Sequence, residues 1–365
     1  MEASNFTNLC AKDLSTITVL TTDCLSTIVD SMNKGGLGIA LVVDENKKLC
    51  GIFTDHDLRN LYIKQVPLTE ISKSHMNRKF RFMTSDELSN CSSSIFTDGE
   101  KIRHLPILDN LGRVVDLILW RDVSPSEFEN AVLIMAGGLG ERLQPYTANR
   151  PKPLVSLRGK PIIDHVLESV RKNGFRRVFL SINHLSEQIE EHCKAGEKWD
   201  LSIEYVREQK KLGTAGSISL LPNDIDLPFL VLNGDVVCNV NLQSLLQFHE
   251  ERKSEATMCV SHFSFRVPYG VVDVKSGQII GFREKPNQTW RINSGIYCIN
   301  PEVKGEIQKD EYLDMPNLFE RLRKKGASVL AFPIHEEWLD VGSPEDLRIA
   351  EQNLSLSENA QTEEQ

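Results

Sequence analysis

The sequence predicts an α/β protein: a doubly wound, mostly parallel sheet preceded by a smaller α/β module. Three observations carry this. From position 131 onward, short apolar runs alternate with amphipathic stretches at helical spacing, the pattern of strands joined by crossover helices. In the first third, "LVVDENKKLCGIFTDHDL" (41–58) recurs in form as "LPILDNLGRVVDLILWRDV" (105–123). The length, 365 residues, exceeds what one core usually organises, so two or three domains are expected.

Each copy of the repeat reads as an apolar strand, a polar turn, a second apolar strand and a helix start, with Asp44 and Asp57 corresponding to Asp109 and Asp122. A helical stretch precedes each copy, "CLSTIVDSM" and "ELSNCSSSI". A repeat of about 60 residues occurring twice, over about 8–65 and 70–126, predicts two units that bury their faces against each other. These residues resemble a tandem pair of CBS domains, which would fill 1–126. The resemblance implies an adenine nucleotide in the cleft between repeats, touched by a Thr or Ser and a later Asp. Thr54 and Asp57 of "GIFTDHD" match that pattern; in the second copy Leu119 stands in the Thr place while Asp122 remains. Two readings stay open: a nucleotide sensor using Thr54, Asp57 and Asp122, or a dimerising or spacing module without ligand.

The polar segment "RDVSPSEFEN" (121–130) carries Pro125 and reads as a linker, its last residues 127–130 leading into the second part, 131–352. There "AVLIMA" is a buried strand. "KPIIDHVLESVRKNG" sets Ile162, Ile163, Val166, Leu167 and Val170 on one helical face, with Pro161 near the first turn and Gly174 as the stop. "RRVFLSI" and "PFLVLN" are further strands. Ligands of such a sheet bind beyond the carboxyl ends of its strands. The tail 353–365 is polar and acidic and is expected to be disordered.

Composition narrows the function. Acidic residues outnumber basic ones, 51 to 42, for a formal charge of -9, which argues against a general nucleic-acid binder. No stretch approaches the roughly 20 apolar residues of a membrane helix, and the start lacks the build of a signal peptide, so a cytoplasmic protein is expected. The eight cysteines are scattered without a CxxC pair, pointing to isolated thiols in a reducing compartment. A homo-oligomer is expected.

The stretch from position 136, "AGGLGERLQPYTANRPKPL", joins flexibility to positive charge directly after a buried strand. It is not a dinucleotide fingerprint, because Leu143 replaces the third glycine, nor a Walker loop, because Pro161 occupies the hydroxyl position after "RGK". Gly137, Gly138 and Gly140 let backbone amides approach an anion; Arg142 adds a forked donor and Lys152 a compact charge, directed by Pro151 and Pro153.

This segment resembles the signature loop of the sugar-phosphate nucleotidyltransferases, "GGxGxRLxPxTxxxPKPL". The further stations "LGTAGSI", "LNGDVV", "YGVVDV", "FREKP", "NSGIY" and "WLDVGSPEDL" follow in order, so the resemblance covers about 131–352. It implies a Rossmann-like nucleotidyltransferase fold and attack of a sugar 1-phosphate on the α-phosphorus of a nucleoside triphosphate. Such a reaction needs charge screening and alignment rather than a proton-abstracting base. By resemblance, Asp235 and Asp340 hold Mg²⁺. Arg142 grips the departing pyrophosphate and Lys152 the charge around the α-phosphate. Gly270, Glu284, Lys285 and Asn293 bind the sugar phosphate; Gly137, Gly138, Gly140, Gly213 and Thr214 bind the nucleotide. The union with a CBS pair is similar to the guanylyltransferases that activate amino sugars for nonulosonic (legionaminic) acid pathways. GTP with a hexose or hexosamine 1-phosphate is the favoured expectation; UTP, dTTP or CTP, and a non-catalytic scaffold on the same fold, remain open.

Overall fold

The computed structural model describes residues 6–8, 14–89, 104–120, 128–336 and 338–351. Asp122, the stretch 121–127 and the tail 353–365 therefore lie outside the described residues. The chain divides into two compact units, Met1–Ser126 and Glu127–Gln365.

The first unit contains β1 (Phe6–Asn8), β2 (Thr18–Leu20), α1 (Leu25–Gly35), β3 (Ile39–Val43), β4 (Leu49–Thr54), α2 (Asp55–Ile63), β5 (Met83–Thr84), α3 (Ser85–Ser89), β6 (His104–Leu108) and β7 (Val114–Trp120). Its two sheets share one plan. In one, β2 runs parallel to β3 and β3 antiparallel to β4; in the other, β5 runs parallel to β6 and β6 antiparallel to β7, with β1 added at the edge of β7. Ile39 and Leu41 of one sheet and Leu117 and Leu119 of the other are buried in one cluster. Strand β3 is apolar and buried along its length, as a strand covered on both faces must be. Each half has a helix opened by a capping box, α2 after its strand pair β3–β4 and α3 before its pair β6–β7. Thr54 caps α2 in a capping box with Asp57, its hydroxyl and backbone N–H both donating to Asp57 Oδ2 at 2.7 and 2.9 Å. Thr84 and Glu87 do the same ahead of α3, at 2.9 and 2.8 Å.

The second unit contains β8 (Val132–Met135), β9 (Ser156–Leu157), β10 (Lys160–Pro161), α4 (Ile162–Lys172), β11 (Arg177–Ile182), α5 (Ser186–Cys193), β12 (Ser202–Arg207), α6 (Gly213–Gly216), β13 (Phe229–Asn233), β14 (Val236–Cys238), α7 (Leu242–Glu251), β15 (Ala256–Arg266), β16 (Val271–Lys275), β17 (Gln278–Arg283), β18 (Asn287–Ile299), α8 (Met315–Lys324), β19 (Val329–Pro333) and β20 (Trp338–Asp340). A seven-stranded sheet in the order β12-β11-β8-β13-β18-β15-β19 forms its centre. Every neighbouring pair is parallel except those made by β18, which is antiparallel to β13 and β15. The sheet is therefore mostly parallel and covered on both faces. Val132 and Ile134 of β8 face one cluster with Val166, Leu167 and Val170 of α4 and Leu245 of α7. Leu133 faces another with Met315, Leu318 and Leu322 of α8. The five apolar positions expected on one face of α4 are all buried.

From β8 the chain goes outward to β11 and β12, then returns to the other side of β8 as β13. Such a reversal opens a crevice at the carboxyl ends of the two strands, where ligands of these sheets bind. The glycine- and arginine-bearing loop leaves β8 at this end, and Asp235 follows β13 at the same end.

No helix among the described residues is long and apolar enough to cross a membrane. The cysteines among them are free thiols.

His249 of α7 is buried, its ring bonded to Thr257 Oγ1 and Asn300 Oδ1, each at 2.9 Å. Burial lowers its pKa below the ordinary 6.5, against a smaller upward pull from Asn300 and Glu250. The unfolded chain then binds a proton that the folded chain refuses, so this contribution to stability is complete above pH 6.5 and is lost as the pH falls toward the depressed value. Thermal melts from pH 7.5 down to about 5 should show Tm falling more steeply in the wild-type chain than in His249→Gln. Equal slopes would contradict a neutral buried imidazole.

Candidate active site

At the carboxyl ends of β8 and β13 the backbones are in direct contact. Gly234 N–H donates to the Met135 carbonyl at 2.9 Å, and a Cβ on Gly234 would lie 2.7 Å from that same oxygen. This close approach explains the glycine of "NGD" and holds Asp235 beside the loop that follows β8. Next to it, β14 and β20 pair antiparallel with Val236 opposite Asp340, and Val341 N–H donates to the Asp235 carbonyl at 3.2 Å. Two carboxylates 105 positions apart in the sequence are thereby brought together, Asp235 just before β14 and Asp340 at the end of β20.

Lys152 lies in a one-turn 3-10 segment, Lys152–Leu154, entered from Pro151 at φ -65°. Its ammonium ion-pairs with Asp235 Oδ2, and the residue is buried. Asp340 has its carboxyl pushed upward, first by burial and then by the nearby Asp235 charge, while Lys152 and Arg142 pull it down. The Arg142 guanidinium also borders Gly342, where a Cβ would stand 3.7 Å from both terminal nitrogens. Arg142, Lys152, Asp235 and Asp340 thus form one cluster of two cations and two anions. The two carboxylates lie close enough to repel, with Lys152 paired to Asp235 and both cations drawing on Asp340. Two oxygen donors beside open polar surface are what a small divalent cation takes from a protein when substrate oxygens supply the rest.

The loop glycines separate by role. Gly140 sits at φ +65°, and a Cβ there would press on Thr147 and Lys152 at 2.9 and 3.1 Å, so it shapes the turn that seats Lys152. Thr147 Oγ1 closes the same turn by donating to the Gly140 carbonyl at 2.8 Å. Gly137 backs onto Asn183 and Glu208, whereas Gly138 faces open space and leaves its backbone approachable.

Gly213 and Thr214 are packed against the chain at 313–315. Gly213 has φ +77°, and its missing Cβ would meet the Leu313 carbonyl at 2.6 Å. The Leu313 backbone and the Asp314 carboxylate are by themselves enough to require glycine here. The Thr214 hydroxyl accepts from Met315 N–H at 2.9 Å and caps α8, while Thr214 N–H donates to Asp314 at 3.1 Å. That hydroxyl is committed to the fold.

The four sugar-phosphate candidates divide into two groups. Gly270 and Glu284 are adjacent, with a Cβ on Gly270 3.1 Å from Glu284 Oε2, and Lys285 lies 4.0 Å from Glu284 in the turn between β17 and β18. This group stands where Arg266 pairs with Asn287. Asn293 pairs with Val260, six positions along the same ladder, roughly 20 Å of strand. It donates to Tyr297 Oη at 2.7 Å, and the Tyr297 hydroxyl, pushed up to about 12 chiefly by burial, also feels the Asp235 charge. Asn293 therefore adjoins the carboxylate cluster. Among the described residues no hydrogen bond or ion pair joins Gly270, Glu284 or Lys285 to it.

Three participants escaped the sequence reading. Glu208 accepts from Ser181 at 2.6 Å and from Leu212 N–H at 3.2 Å, tying the wall behind Gly137 to the "LGTAG" loop. Tyr297 joins Asn293 to the cluster. Asn233, just before "GD", has a buried side-chain oxygen without a partner among the described residues. No motif marks Glu208, whereas Tyr297 is the last residue of "NSGIY" and was not singled out. Ser343 and Asp346 form the helix start that was expected, 2.7 Å apart, ahead of the helix over 344–351.

The first unit's candidates are described only in part. Thr54 and Asp57 are engaged with each other in the α2 cap, and Asp122 lies outside the described residues.

The chain is 36% identical over 222 residues to the mannose-1-phosphate guanylyltransferase catalytic subunit beta of Xenopus tropicalis, covering 59% of this chain and 61% of that protein. It is 37% identical over the same length to the mannose-1-phosphate guanyltransferase of Yarrowia lipolytica. It thus spans about three fifths of the length of these curated relatives. The crystal structure of HddC from Yersinia pseudotuberculosis complexed with GMP-PN superposes with a TM-score of 0.50 at 25% identity, over 62% of this chain and 99% of that one. The CBS domain model matches residues 12–64, the first repeat. The nucleotidyl transferase model matches residues 131–356, well over half of the chain, and this chain belongs to that family.

Proposed function

We propose that the chain transfers a guanylyl group from GTP to a hexose or hexosamine 1-phosphate, releasing pyrophosphate and forming a GDP-sugar. The observation that carries this is the convergence of Lys152, Arg142, Asp235 and Asp340 at the carboxyl ends of β8 and β13. The guanine preference is supported by the similar proteins named as mannose-1-phosphate guanylyltransferases and by the HddC complex with GMP-PN. A sugar-phosphate oxygen forms a bond to the α-phosphorus. The bond from that phosphorus to the bridging oxygen breaks, and its electron pair leaves with pyrophosphate. The nucleophile is already anionic, so no protein base is called for.

In this reading Lys152 meets charge developing at the α-phosphate and Arg142 meets the departing pyrophosphate, both interactions strongest in the transition state. Gly138 offers backbone N–H to phosphate oxygens, with Gly137 and Gly140 shaping that wall. Gly213 and Thr214 act by placing the "LGTAG" loop. Lys285 and Glu284, beside Gly270, receive the sugar phosphate and its hydroxyls, and Asn293 the sugar from the side of the carboxylates. Asp235 and Asp340 would hold Mg²⁺, which supplies charge screening between the two polyanions.

For the first unit, the strand plan common to both halves supports a tandem CBS pair. The engagement of Thr54 with Asp57 in a helix cap favours the spacing or dimerising reading over an adenine-nucleotide sensor.

A pyrophosphate-release screen of GTP, UTP, dTTP and CTP against mannose, glucose and glucosamine 1-phosphates tests the proposal. GTP should give the highest kcat/KM with one of these sugars, and the glucosamine arm tests an amino-sugar pathway. Faster release with another triphosphate would overturn the base assignment, and no release with any pair would leave a scaffold.

A further inference from the structure

The sugar-phosphate candidates stand at two ends of one surface. Strands β15 and β18 pair antiparallel from Val260 opposite Asn293 to Arg266 opposite Asn287. Directly opposite residues of such a ladder share a face, and so do alternate pairs along it. One face therefore carries Asn293 with Val260, Arg291 with His262, Thr289 with Ser264, and Asn287 with Arg266. Phe263 and Trp290 fall on the other. At one end of the polar face is Asn293, beside the carboxylate cluster; at the other are Gly270, Glu284 and Lys285. The roughly 20 Å of strand between these ends exceeds the length of a hexose 1-phosphate.

That interval holds a cation. Arg291 is exposed and lies two positions from Asn293, about 7 Å along the strand. Opposite it, His262 is half-buried, and its imidazole titrates below the ordinary 6.5, first because of burial and then because of the Arg291 charge. Near neutral pH the guanidinium is therefore the charge of this pair. The next pair along the face is neutral, Ser264 and Thr289 bonded to each other at 2.8 Å. A phosphate monoester brings a charge of about -1.5 to -2 toward Asp235 and Asp340, and Lys152 is already ion-paired with Asp235. At the far end Lys285 has the Glu284 carboxylate 4.0 Å away. A guanidinium fork matches phosphate oxygens in pairs, where an ammonium offers a point charge.

We propose that Arg291 binds the phosphate of the sugar 1-phosphate, joining the Asn293 end of this face to the Lys285 end. Its fork takes two phosphate oxygens and holds the group near the carboxylate cluster, where the attacking oxygen is needed. The ring hydroxyls are left to Asn293 and Glu284. This role rests on the guanylyl-transfer reading of the site. Because the phosphate is as anionic before the reaction as during it, the contact is made with bound substrate and its loss is read in KM more than in kcat.

The test measures pyrophosphate release by the full chain with Mg²⁺, GTP and each of mannose, glucose and glucosamine 1-phosphates, for wild type, Arg291→Gln and Arg291→Lys. Arg291→Gln should raise KM for the sugar 1-phosphate by about 10–100-fold, the scale of a lost hydrogen bond to a charged group, with KM for GTP and Tm little changed. Arg291→Lys, which keeps the charge and loses the fork, should fall between the two. An unchanged sugar-phosphate KM in Arg291→Gln would overturn the proposal and leave the reaction standing. So would a rise shared equally by KM for GTP and accompanied by a fallen Tm, which is the mark of a merely structural arginine. No release by the wild-type chain with any of the pairs would overturn the underlying reading, and this role with it.

Discussion

Asp235→Asn should lower kcat for pyrophosphate release by about 10³-fold or more, the scale of removing a principal electrostatic group from such a site, while the chain stays folded. The residue is placed by backbone contacts that the substitution leaves alone: the Gly234–Met135 hydrogen bond and the Val341 N–H on its carbonyl. What changes is charge. The carboxylate now balances Lys152 and repels Asp340. The amide removes both effects, and Asp340 remains to face the Lys152 ammonium. These changes oppose each other, so the net stability cost should be about 1–2 kcal/mol, below the 3–5 kcal/mol of stranding a fully buried charge. Melting curves and a coupled pyrophosphate assay read the two consequences separately. Undiminished turnover would remove Asp235 from the chemistry.

Lys152→Met carries the second large effect. Methionine approximates the length of the side chain beside Gly140 and Thr147 but brings no charge. Two carboxylates then face each other without their nearest cation. Turnover should fall by about 10²–10³-fold with KM for GTP changed only a few-fold, the signature of an interaction made chiefly in the transition state. Lys152→Arg should not restore it, because a planar fork does not fit a buried site shaped for a compact ammonium. A rise in KM at unchanged kcat would instead make Lys152 a ground-state anchor.

How far the site could be read from sequence depended on how local each cause is. The strand β8, the turn after it and the face of α4 follow from apolar period and glycine placement within about 40 residues, and they stand where the pattern puts them. Asp235 and Asp340 were legible as residues that follow apolar runs, but their adjacency depends on β14 pairing with β20, about a hundred positions apart in the chain. The same distance hid the packing contacts of Gly213 and Thr214. A glycine beside a threonine suggests contact with a ligand, and only the arrival of 311–315 reveals a tight packing contact and a helix cap. Thr54 and Asp57 show the opposite case. Their three-residue spacing satisfies both a ligand motif and a capping box, and local hydrogen bonding has taken them. Glu208 had no signal, because an isolated glutamate just after an edge strand becomes informative only through what the tertiary fold brings beside it; Tyr297 closes "NSGIY", but its role shows only through its bond with Asn293.

The proposed reaction depends on a cation held at the carboxyl ends of β8 and β13 between two phosphate-bearing substrates. Crystals of the full chain grown with Mn²⁺, a non-hydrolysable GTP analogue and a hexose 1-phosphate test it most directly, through the anomalous difference map. A manganese peak within about 2.0–2.3 Å of carboxylate oxygens of both Asp235 and Asp340, with the analogue's phosphates reaching Lys152 and Arg142, is the predicted result. A peak held by other residues, or a triphosphate seated away from these four side chains, would contradict it.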